Sequence, residues 1–237
     1  MRIDILTLFP EMLEATLATS IVKRAQDGGQ VEIHVHDIRN WADNKHRKVD
    51  HRPYGGGPGM VMMCQPLHDA VQEVERQLNS STVRIHFTPQ GEVLKQERVE
   101  QLAAEKNLLL IAGHYEGIDE RVIETLDPLE LSTGDYVLSG GEIPALLLVD
   151  AVVRLLPGVL GHADSADQDS FSQKDSDGNL LLDCPHYTRP RVWNEKEVPD
   201  VLLSGDHSAV DKWREEQMVS RTKSRRPDLL ENEEVDP

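Results

Sequence analysis

The sequence predicts an α/β domain around a mostly parallel sheet, followed by a smaller C-terminal domain. The first 38 residues read as a strand, a helix and a second strand, the pattern of a βαβ unit with a right-handed crossover. The apolar run "NLLLIAG" (107–113) is typical of a parallel strand that is buried on both faces. With 237 residues, the chain is long enough for one large or two modest domains with a substantial core.

The N-terminal elements follow from local patterns. "RIDILTL" (2–8) alternates and is rich in strand-forming residues, and strict alternation in "VEIHVHDI" (31–38) predicts the second strand. Between them, Pro10 suits a first helical turn, and apolar residues at about 3.6 spacing predict one helix that ends at the glycine pair 28–29. Residues 39–63 are basic, then glycine-rich, without a regular period. They predict a long loop that is functional or disordered.

The middle of the chain continues the alternation. A helix is predicted at 66–78, followed by the strand "TVRIHFT" (82–88), which ends at Pro89. A helix at 95–106 then leads to the buried strand at 107–113. "HYEGIDERVIETL" is expected to begin a helix immediately after that strand. This order of elements predicts the mostly parallel sheet.

The last predicted elements divide the chain into two domains joined by a linker. A helix from about Pro144 to Leu156 is apolar on nearly every side, which predicts burial in a core or in a subunit interface. The predicted α/β domain therefore covers 1–160. A flexible linker rich in Ser, Asp and Gly is expected at 161–179, and a C-terminal domain at 180–237 has an amphipathic helix near 207–223.

Composition sets broad limits. Hydrophobic residues make up 38% and charged residues 28%, as in globular proteins. No stretch reaches the roughly 18 apolar residues of a membrane span, and the N-terminus lacks signal-peptide features. The two cysteines are far apart, which favours reduced thiols in the cytoplasm. The net charge of −17 speaks against a nucleic-acid partner, but cations cluster at 44–53 and 221–227, so the total does not decide the matter.

Three loops follow predicted strands and carry most of the unexplained glycines: 87–91, 112–121 and 132–144. Ligands of open parallel sheets bind beyond the carboxyl ends of the strands, so we expect the three loops to converge on one site. The spacing is not that of a dinucleotide fingerprint, and no P-loop lysine follows. Bare backbone groups suit a ligand with an adenine and an amino-acid end better than a polyphosphate.

Individual side chains give weaker signals. Arg154 interrupts the apolar helix, and a buried guanidinium needs a partner or a function; a pair with Asp150 is the alternative. Asp169 reads as one of several solvated carboxylates in the linker. Cys184 and His186 lack zinc spacing, and no metal site is predicted.

A set of motifs in one order covers nearly the whole chain. The motifs are "DHRPYGGGPGMVMM", "FTPQG", "GHYEGIDER", "GDYVLSGGEIPA", "DSFS", "LDCPHYTRP" and "KWR" followed by "RTKSRRPDLL". Together they resemble the TrmD family of bacterial tRNA (guanine-N1)-methyltransferases, which belongs to the SPOUT class. The departures are Thr133 and His114, where the family often has Ile and Arg, and a linker that is several residues longer.

The resemblance implies a fold and partners. The α/β domain is expected to have helices on both faces of the sheet and a trefoil knot, a rare topology, and the C-terminal domain is expected to be helical and to help bind tRNA. A homodimer with active sites at its interface is implied. So is S-adenosyl-L-methionine as the methyl donor, with Mg²⁺ as a further candidate cofactor. The donor has a sulfonium cation and no phosphate, which accounts for the missing P-loop lysine.

The resemblance also assigns residues. The expected cofactor-binding residues are Pro89, Gly91, Gly113, Tyr115, Glu116, Thr133, Gly134, Asp135, Tyr136, Val137, Leu138, Gly140, Gly141 and Pro144. The target is N1 of the guanosine at tRNA position 37, next to the anticodon. Asp169 is expected to take the N1 proton, while Arg154 stabilises the charge that develops on O6.

Two alternatives remain at this point. Another SPOUT-class RNA methyltransferase has the same cofactor and a different nucleotide, and the "YGGGPGM" and "RTKSRRPDLL" segments speak against it. A nucleotide-binding regulatory protein without catalysis fits the acidic charge. Arg154 and Asp169 speak against that alternative, since a binding module has little use for either side chain.

Overall fold

The computed structural model of the chain describes residues 1–78, 81–160 and 168–230. Its contacts divide the chain into two compact units, Met1–Leu160 and Gly161–Pro237. Parts of the predicted linker (161–167) and of the predicted C-terminal domain (231–237) lie outside the described residues. Among the described helices, none is both long enough and apolar enough to cross a membrane.

A five-stranded sheet forms the centre of the first unit. Its strands are β1 (Arg2–Thr7), β2 (Glu32–Asp37), β5 (Val83–Val93), β6 (Asn107–Ile111) and β7 (Leu129–Ser132), and a small antiparallel hairpin is formed by β3 (Asp50–His51) and β4 (Val61–Met62). The order in the sheet is β2-β1-β6-β5-β7, and every pairing is parallel. The predicted α/β class is therefore confirmed. The knot stays a prediction.

Helices cover both faces of the sheet, as predicted. They are α1 (Pro10–Leu17), α2 (Ser20–Asp27), α3 (Cys64–Gln77), α4 (Gln96–Ala103), α5 (Glu120–Leu126) and α6 (Glu142–Val153). Side chains of β6 alternate between two cores: Leu108 and Leu110 pack with α1, α2, α4 and α6, whereas Leu109 and Ile111 pack with α3 and α5. Every residue of β6 is buried, which explains its unbroken apolar run.

Two predicted elements near the N-terminus differ from the structure. The single helix predicted up to the glycine pair is wrong, because it breaks between α1 and α2. The Thr19 hydroxyl donates a hydrogen bond to the Thr16 carbonyl at 2.8 Å, and Ser20 has a positive φ of 51°. Such local bonds compete with the helical ladder. The long loop predicted at 39–63 is also not wholly irregular, since it contains the β3–β4 hairpin.

Three predicted boundaries are wrong in ways that matter for the site. Strand β5 does not end at Pro89 but continues to Val93, with a register shift: Phe87 and Glu92 both oppose Leu131. The residues between them leave the ladder, a position where Pro89, without an N–H, is tolerated. The helix after β6 begins only at Glu120, so the preceding loop is long.

The third boundary concerns α6. This helix spans Glu142–Val153 and not 144–156, because the chain tightens after Val153. The amides of Leu155 and Leu156 bond to carbonyls three residues earlier, at 3.0 and 3.1 Å. Arg154 therefore follows the helix instead of interrupting it.

The second unit has less regular structure. It contains the hairpin strands β8 (Val192–Trp193) and β9 (Lys196–Glu197) and the helix α7 (His207–Arg225), which confirms the helix predicted near 207–223. The Asp206 carboxylate caps α7 by accepting a hydrogen bond from the Ala209 amide at 3.1 Å. The small core consists of Leu181, Cys184 and Met218.

Candidate functional site

A cavity of about 330 Å³ lies at the carboxyl ends of β6 and β7 and beside the register shift of β5. Its walls come from residues 86–90, 113–117, 131–134 and 136–141, together with Pro144. Residues of all three predicted loops therefore line one cavity, as predicted, although the first of these segments lies within β5. The volume falls within the range of roughly 300–1,000 Å³ that is usual for small-molecule sites.

Most of the residues predicted to bind the cofactor line this cavity. They are Pro89, Gly113, Tyr115, Glu116, Thr133, Gly134, Tyr136, Val137, Leu138, Gly140, Gly141 and Pro144. Of the described residues in that prediction, Gly91 and Asp135 do not line it. A Cβ at Gly91 would overlap the backbone of Glu130, so this glycine is required where β5 and β7 approach each other. Asp135 is exposed.

Glycines join two of the loops by backbone contacts. The Gly141 amide donates to the Gly113 carbonyl at 2.7 Å, and His114 and Gly140 form an antiparallel bridge. A Cβ on Gly141 would lie 2.7 Å from the Ala112 Cα, closer than side chains tolerate. At these positions the missing side chain permits the close approach of two backbones, which forms one wall of the cavity.

The β3–β4 hairpin supports the middle loop. The Glu116 amide donates to the Met60 carbonyl at 2.9 Å, and the Met62 amide donates to the Gly117 carbonyl at 2.9 Å. Tyr115, which directly precedes these two contacts in the chain, has a positive φ of 64°. The basic and glycine-rich segment of the sequence thus includes a structural support for the cavity. The sequence did not predict this support, because the segment has no regular hydrophobic period.

The cavity wall carries little positive charge. None of its described lining residues is Lys or Arg, and Glu116 is the carboxylate among them. Burial raises the pKa of the Tyr115 phenol, which keeps it neutral. Such a wall offers peptide N–H and C=O groups and one negative charge, which suits a cationic or neutral ligand and disfavours a polyphosphate.

His86 is the titratable group deepest in the cavity wall. It is 8% exposed, and its Nδ1 lies 3.2 Å from Oε1 of Glu130. Burial lowers the pKa of His86, and the neighbouring carboxylate offsets this only in part. The imidazole is therefore neutral near pH 7.

This lowered pKa predicts a pH-dependent stability. The unfolded chain binds the His86 proton more readily than the folded chain, so the free energy of unfolding should fall as the pH falls through about 6.5, the ordinary histidine value. His86→Gln should flatten that slope in denaturant titrations at a series of pH values. His34→Gln, at a more exposed strand position, is the control and should keep the slope. Equal slopes in wild type and His86→Gln would contradict the prediction.

Arg154 and Asp169 lie in different compact units. Arg154 follows α6 and is half-buried, so the expectation of a buried guanidinium within this chain is wrong. The prediction of burial failed because α6 is not buried on every side. Part of its apolar surface is exposed, by 53% at Ile143 and 44% at Leu147. Asp169 is also half-buried, and its carbonyl accepts a hydrogen bond from the Ser172 amide at 3.2 Å.

The described part of the predicted linker is folded around Asp169. The Phe171 amide donates to the Leu181 carbonyl at 2.8 Å, and the Leu181 amide donates to the Gln173 carbonyl at 2.9 Å. Lys174 and Leu180 form an antiparallel bridge. Residues 168–179 therefore make a hairpin-like turn within the second unit, with Asp169 at its base.

The second unit also brings Asp183, Cys184 and His186 together, with ligand atoms within 4.8 Å of one another. His186 Nε2 is hydrogen-bonded to Asp183 Oδ2 at 2.7 Å, and burial beside Asp183 raises the pKa of the Cys184 thiol. A neutral thiol and an imidazole are poor ligands for Mg²⁺, which prefers oxygen. This cluster gives no support for Mg²⁺, which stays a prediction.

One buried polar pair beside the cavity was not predicted from the sequence. Glu142 begins α6 and is 2% exposed, and the fully buried Thr7 donates to its Oε1 at 2.8 Å. The only signal in the sequence was a carboxylate at the start of an apolar helix. Its partner lies 135 positions away, so local patterns could not identify it.

Comparisons with known proteins agree on one family. The protein-family model described as tRNA (Guanine-1)-methyltransferase TrmD matches residues 1–232 of this chain. A tRNA (guanine-N(1)-)-methyltransferase of Chloroflexus aurantiacus is 53% identical over 230 residues, covering 97% of this chain and 88% of that protein. Proteins of the same name from Pseudoalteromonas atlantica and Pseudomonas putida W619 are 52% and 51% identical. They cover 95% and 98% of this chain, and 83% and 90% of their own lengths.

Proposed function

The chain belongs to the tRNA (guanine-1)-methyltransferase TrmD family, and we propose that it transfers a methyl group from S-adenosyl-L-methionine to N1 of guanosine 37 in tRNA. The observation that carries this proposal is the cavity at the ends of β6 and β7 and the register shift of β5, since its wall of bare peptide groups fits the methyl donor. Its position within a chain that matches the family along nearly its full length links the cavity to methyl transfer.

The cavity passes a test of fit for the donor. A side chain at Gly141 would overlap the backbone of Ala112, so backbone shapes this part of the wall. The nucleoside and amino-acid parts of the donor need hydrogen bonds from peptide groups, which loops 113–117 and 133–141 provide. The Glu116 carboxylate favours a cation nearby. When bound, the donor supplies an electrophilic methyl carbon on a positively charged sulfur.

Asp169 and Arg154 have the chemical groups that the transfer requires. The guanine N1 carries a proton, which Asp169 accepts as general base. With the donor bound, the N1 electron pair would form the bond to the methyl carbon as the carbon–sulfur bond breaks, and the donor would leave as a neutral thioether. Negative charge on guanine O6 is stabilised by the Arg154 guanidinium. Positioning of base and methyl carbon supplies a further part of the acceleration.

The proposed contacts with tRNA follow from basic groups, most of which are exposed. The basic loop 45–52 and the arginines of the second unit are the proposed tRNA contacts: Arg189, Arg191, Arg221, Arg225 and Arg226. Ion pairs already link Arg191 to Asp200 and Arg226 to Asp228, so phosphate contacts there must compete with a carboxylate. With a net charge of −17, tRNA affinity should depend strongly on salt.

A homodimer and a cytoplasmic location are also proposed. The exposed apolar side chains Ile143 and Leu147 on α6 support a second copy of the chain as a partner. The names of the relatives favour tRNA methyl transfer over a regulatory protein without catalysis, and guanine N1 over another nucleotide.

Primer extension tests the proposal. A tRNA-Leu transcript with guanosine at position 37 is incubated with the protein and S-adenosylmethionine, because a methyl group at N1 blocks base pairing and stops the polymerase. We expect a stop at position 37, and none with an adenosine-37 transcript. The same reaction with a chelator tests whether Mg²⁺ is required. No stop on the guanosine transcript would remove the proposed function.

A further inference from the structure

A chain of polar groups leads from the sheet to the cavity wall. Thr7 ends β1, and its hydroxyl donates to Oε1 of Glu142 at 2.8 Å. Both residues are buried, at 0% and 2% exposure. Glu142 is the first residue of α6, where the helix dipole favours a negative charge. The Thr7 hydroxyl therefore fixes the orientation of the Glu142 carboxyl group.

The second oxygen of Glu142 faces a histidine that lines the cavity. Oε2 lies 3.7 Å from Nδ1 of His114, which is too long for a hydrogen bond. Nδ1 is buried, and it is one of two buried side-chain atoms without a hydrogen-bond partner among the described residues. A small movement of the His114 ring would bring this buried nitrogen within hydrogen-bond distance of the buried carboxylate oxygen.

The surroundings of His114 allow such a movement. Its ring contacts two aromatic rings, that of Phe9 with centroids 4.8 Å apart and that of Tyr115 at 5.2 Å. The side chain is 21% exposed and belongs to the cavity wall. A Cβ at Gly140 would overlap both His114 Nδ1 and Glu142 Oε2, so this glycine leaves the space in which the two atoms meet.

We propose that Glu142 is a positioning residue for His114 in the loaded cavity. When ligand fills the cavity, the ring closes onto Glu142 and Nδ1–H donates to Oε2. This contact fixes the tautomer in which Nε2 carries a lone pair. His114 then accepts a hydrogen bond through Nε2 from an N–H or O–H group of the bound nucleoside or amino acid. The inference rests on the proposed function, since it needs the methyl donor in this cavity.

The tautomer of His114 can be read directly. Nitrogen chemical shifts of ¹⁵N-histidine-labelled full-length protein distinguish Nδ1–H from Nε2–H, and S-adenosylhomocysteine serves as a probe that cannot react. We expect His114 in the wild-type complex to be Nδ1–H. In Glu142→Gln, Thr7 still donates to the amide oxygen, so the amide nitrogen faces His114 and donates to Nδ1. The tautomer should therefore invert to Nε2–H, and affinity for the probe should fall by roughly tenfold, as for one lost hydrogen bond.

A second pair of variants tests the inference if Glu142→Gln does not fold. Thr7→Ser keeps the hydroxyl and should keep the Nδ1–H tautomer, whereas Thr7→Val removes the donor that holds Glu142 and should lower the Nδ1–H population. An Nε2–H tautomer in the wild-type complex would overturn the inference, because Glu142 would then be the donor. So would an unchanged tautomer in Glu142→Gln or in Thr7→Val. Failure of the wild type to bind the probe, or to stop primer extension, would instead contradict the proposed function.

Discussion

Asp169→Asn is expected to lower kcat by about 10²- to 10⁴-fold, the usual contribution of a general base, while binding of S-adenosylmethionine is unchanged. Asparagine has the shape of aspartate but cannot take the N1 proton. The turn at this position depends on the Asp169 carbonyl, which accepts from the Ser172 amide, and the substitution leaves that bond in place. Single-turnover methyl transfer measures the rate, and calorimetry with S-adenosylmethionine measures binding.

The control is a carboxylate in the same turn. Asp177 is exposed, and Asp177→Asn removes an equal charge, so it should leave the rate close to that of wild type. An Asp169→Asn variant that retains wild-type rates would exclude Asp169 as the base. Loss of activity in both variants would assign the effect to the charge of this segment and not to proton transfer.

Arg154→Gln is expected to lower kcat and kcat/KM together by about 10²- to 10³-fold, as removal of one donor to a developing oxyanion does. The effect should fall on kcat because charge appears on guanine O6 during the transfer and not in the bound substrate. Arg154 follows the last turn of α6, and its amide bonds to the Asp150 carbonyl at 3.2 Å whatever its side chain is. The fold of α6 should therefore survive, which circular dichroism can check.

The matched control for Arg154 is an exposed arginine of the same unit. Arg76 lies on α3 with its side chain 72% exposed and paired with Glu73, and Arg76→Gln should keep kcat. A higher KM with unchanged kcat in Arg154→Gln would show that the guanidinium binds tRNA without acting on the transition state. That result would contradict its proposed role.

Much of the fold could be predicted because its signals are local. Strand β6 is buried on both faces, so an unbroken apolar run was sufficient to identify it. The boundaries of β5 and α6 could not be read in this way. Strand β5 passes Pro89 because β7 supplies a partner on the far side of the bulge, which depends on a strand about 40 positions later.

The candidate site likewise has features that local sequence patterns predicted and features that they did not. Glycines after three strands were sufficient to predict the cavity, since chain direction fixes where parallel strands end. The cause of each glycine was not predictable: Gly91 serves strand packing and Gly140 leaves room for a histidine and a carboxylate. Asp169 carried no local signal, and only the resemblance of the "DSFS" motif assigned it a role.

The central claim is that the methyl donor binds among the bare peptide groups at the ends of β6 and β7 and beside the register shift of β5. A crystal structure of the protein with S-adenosylmethionine or S-adenosylhomocysteine tests it most directly. We expect the ligand against residues 113–117 and 133–141, with its adenine and amino-acid groups hydrogen-bonded to the backbone. A ligand bound elsewhere, with this cavity filled only by solvent, would contradict the account.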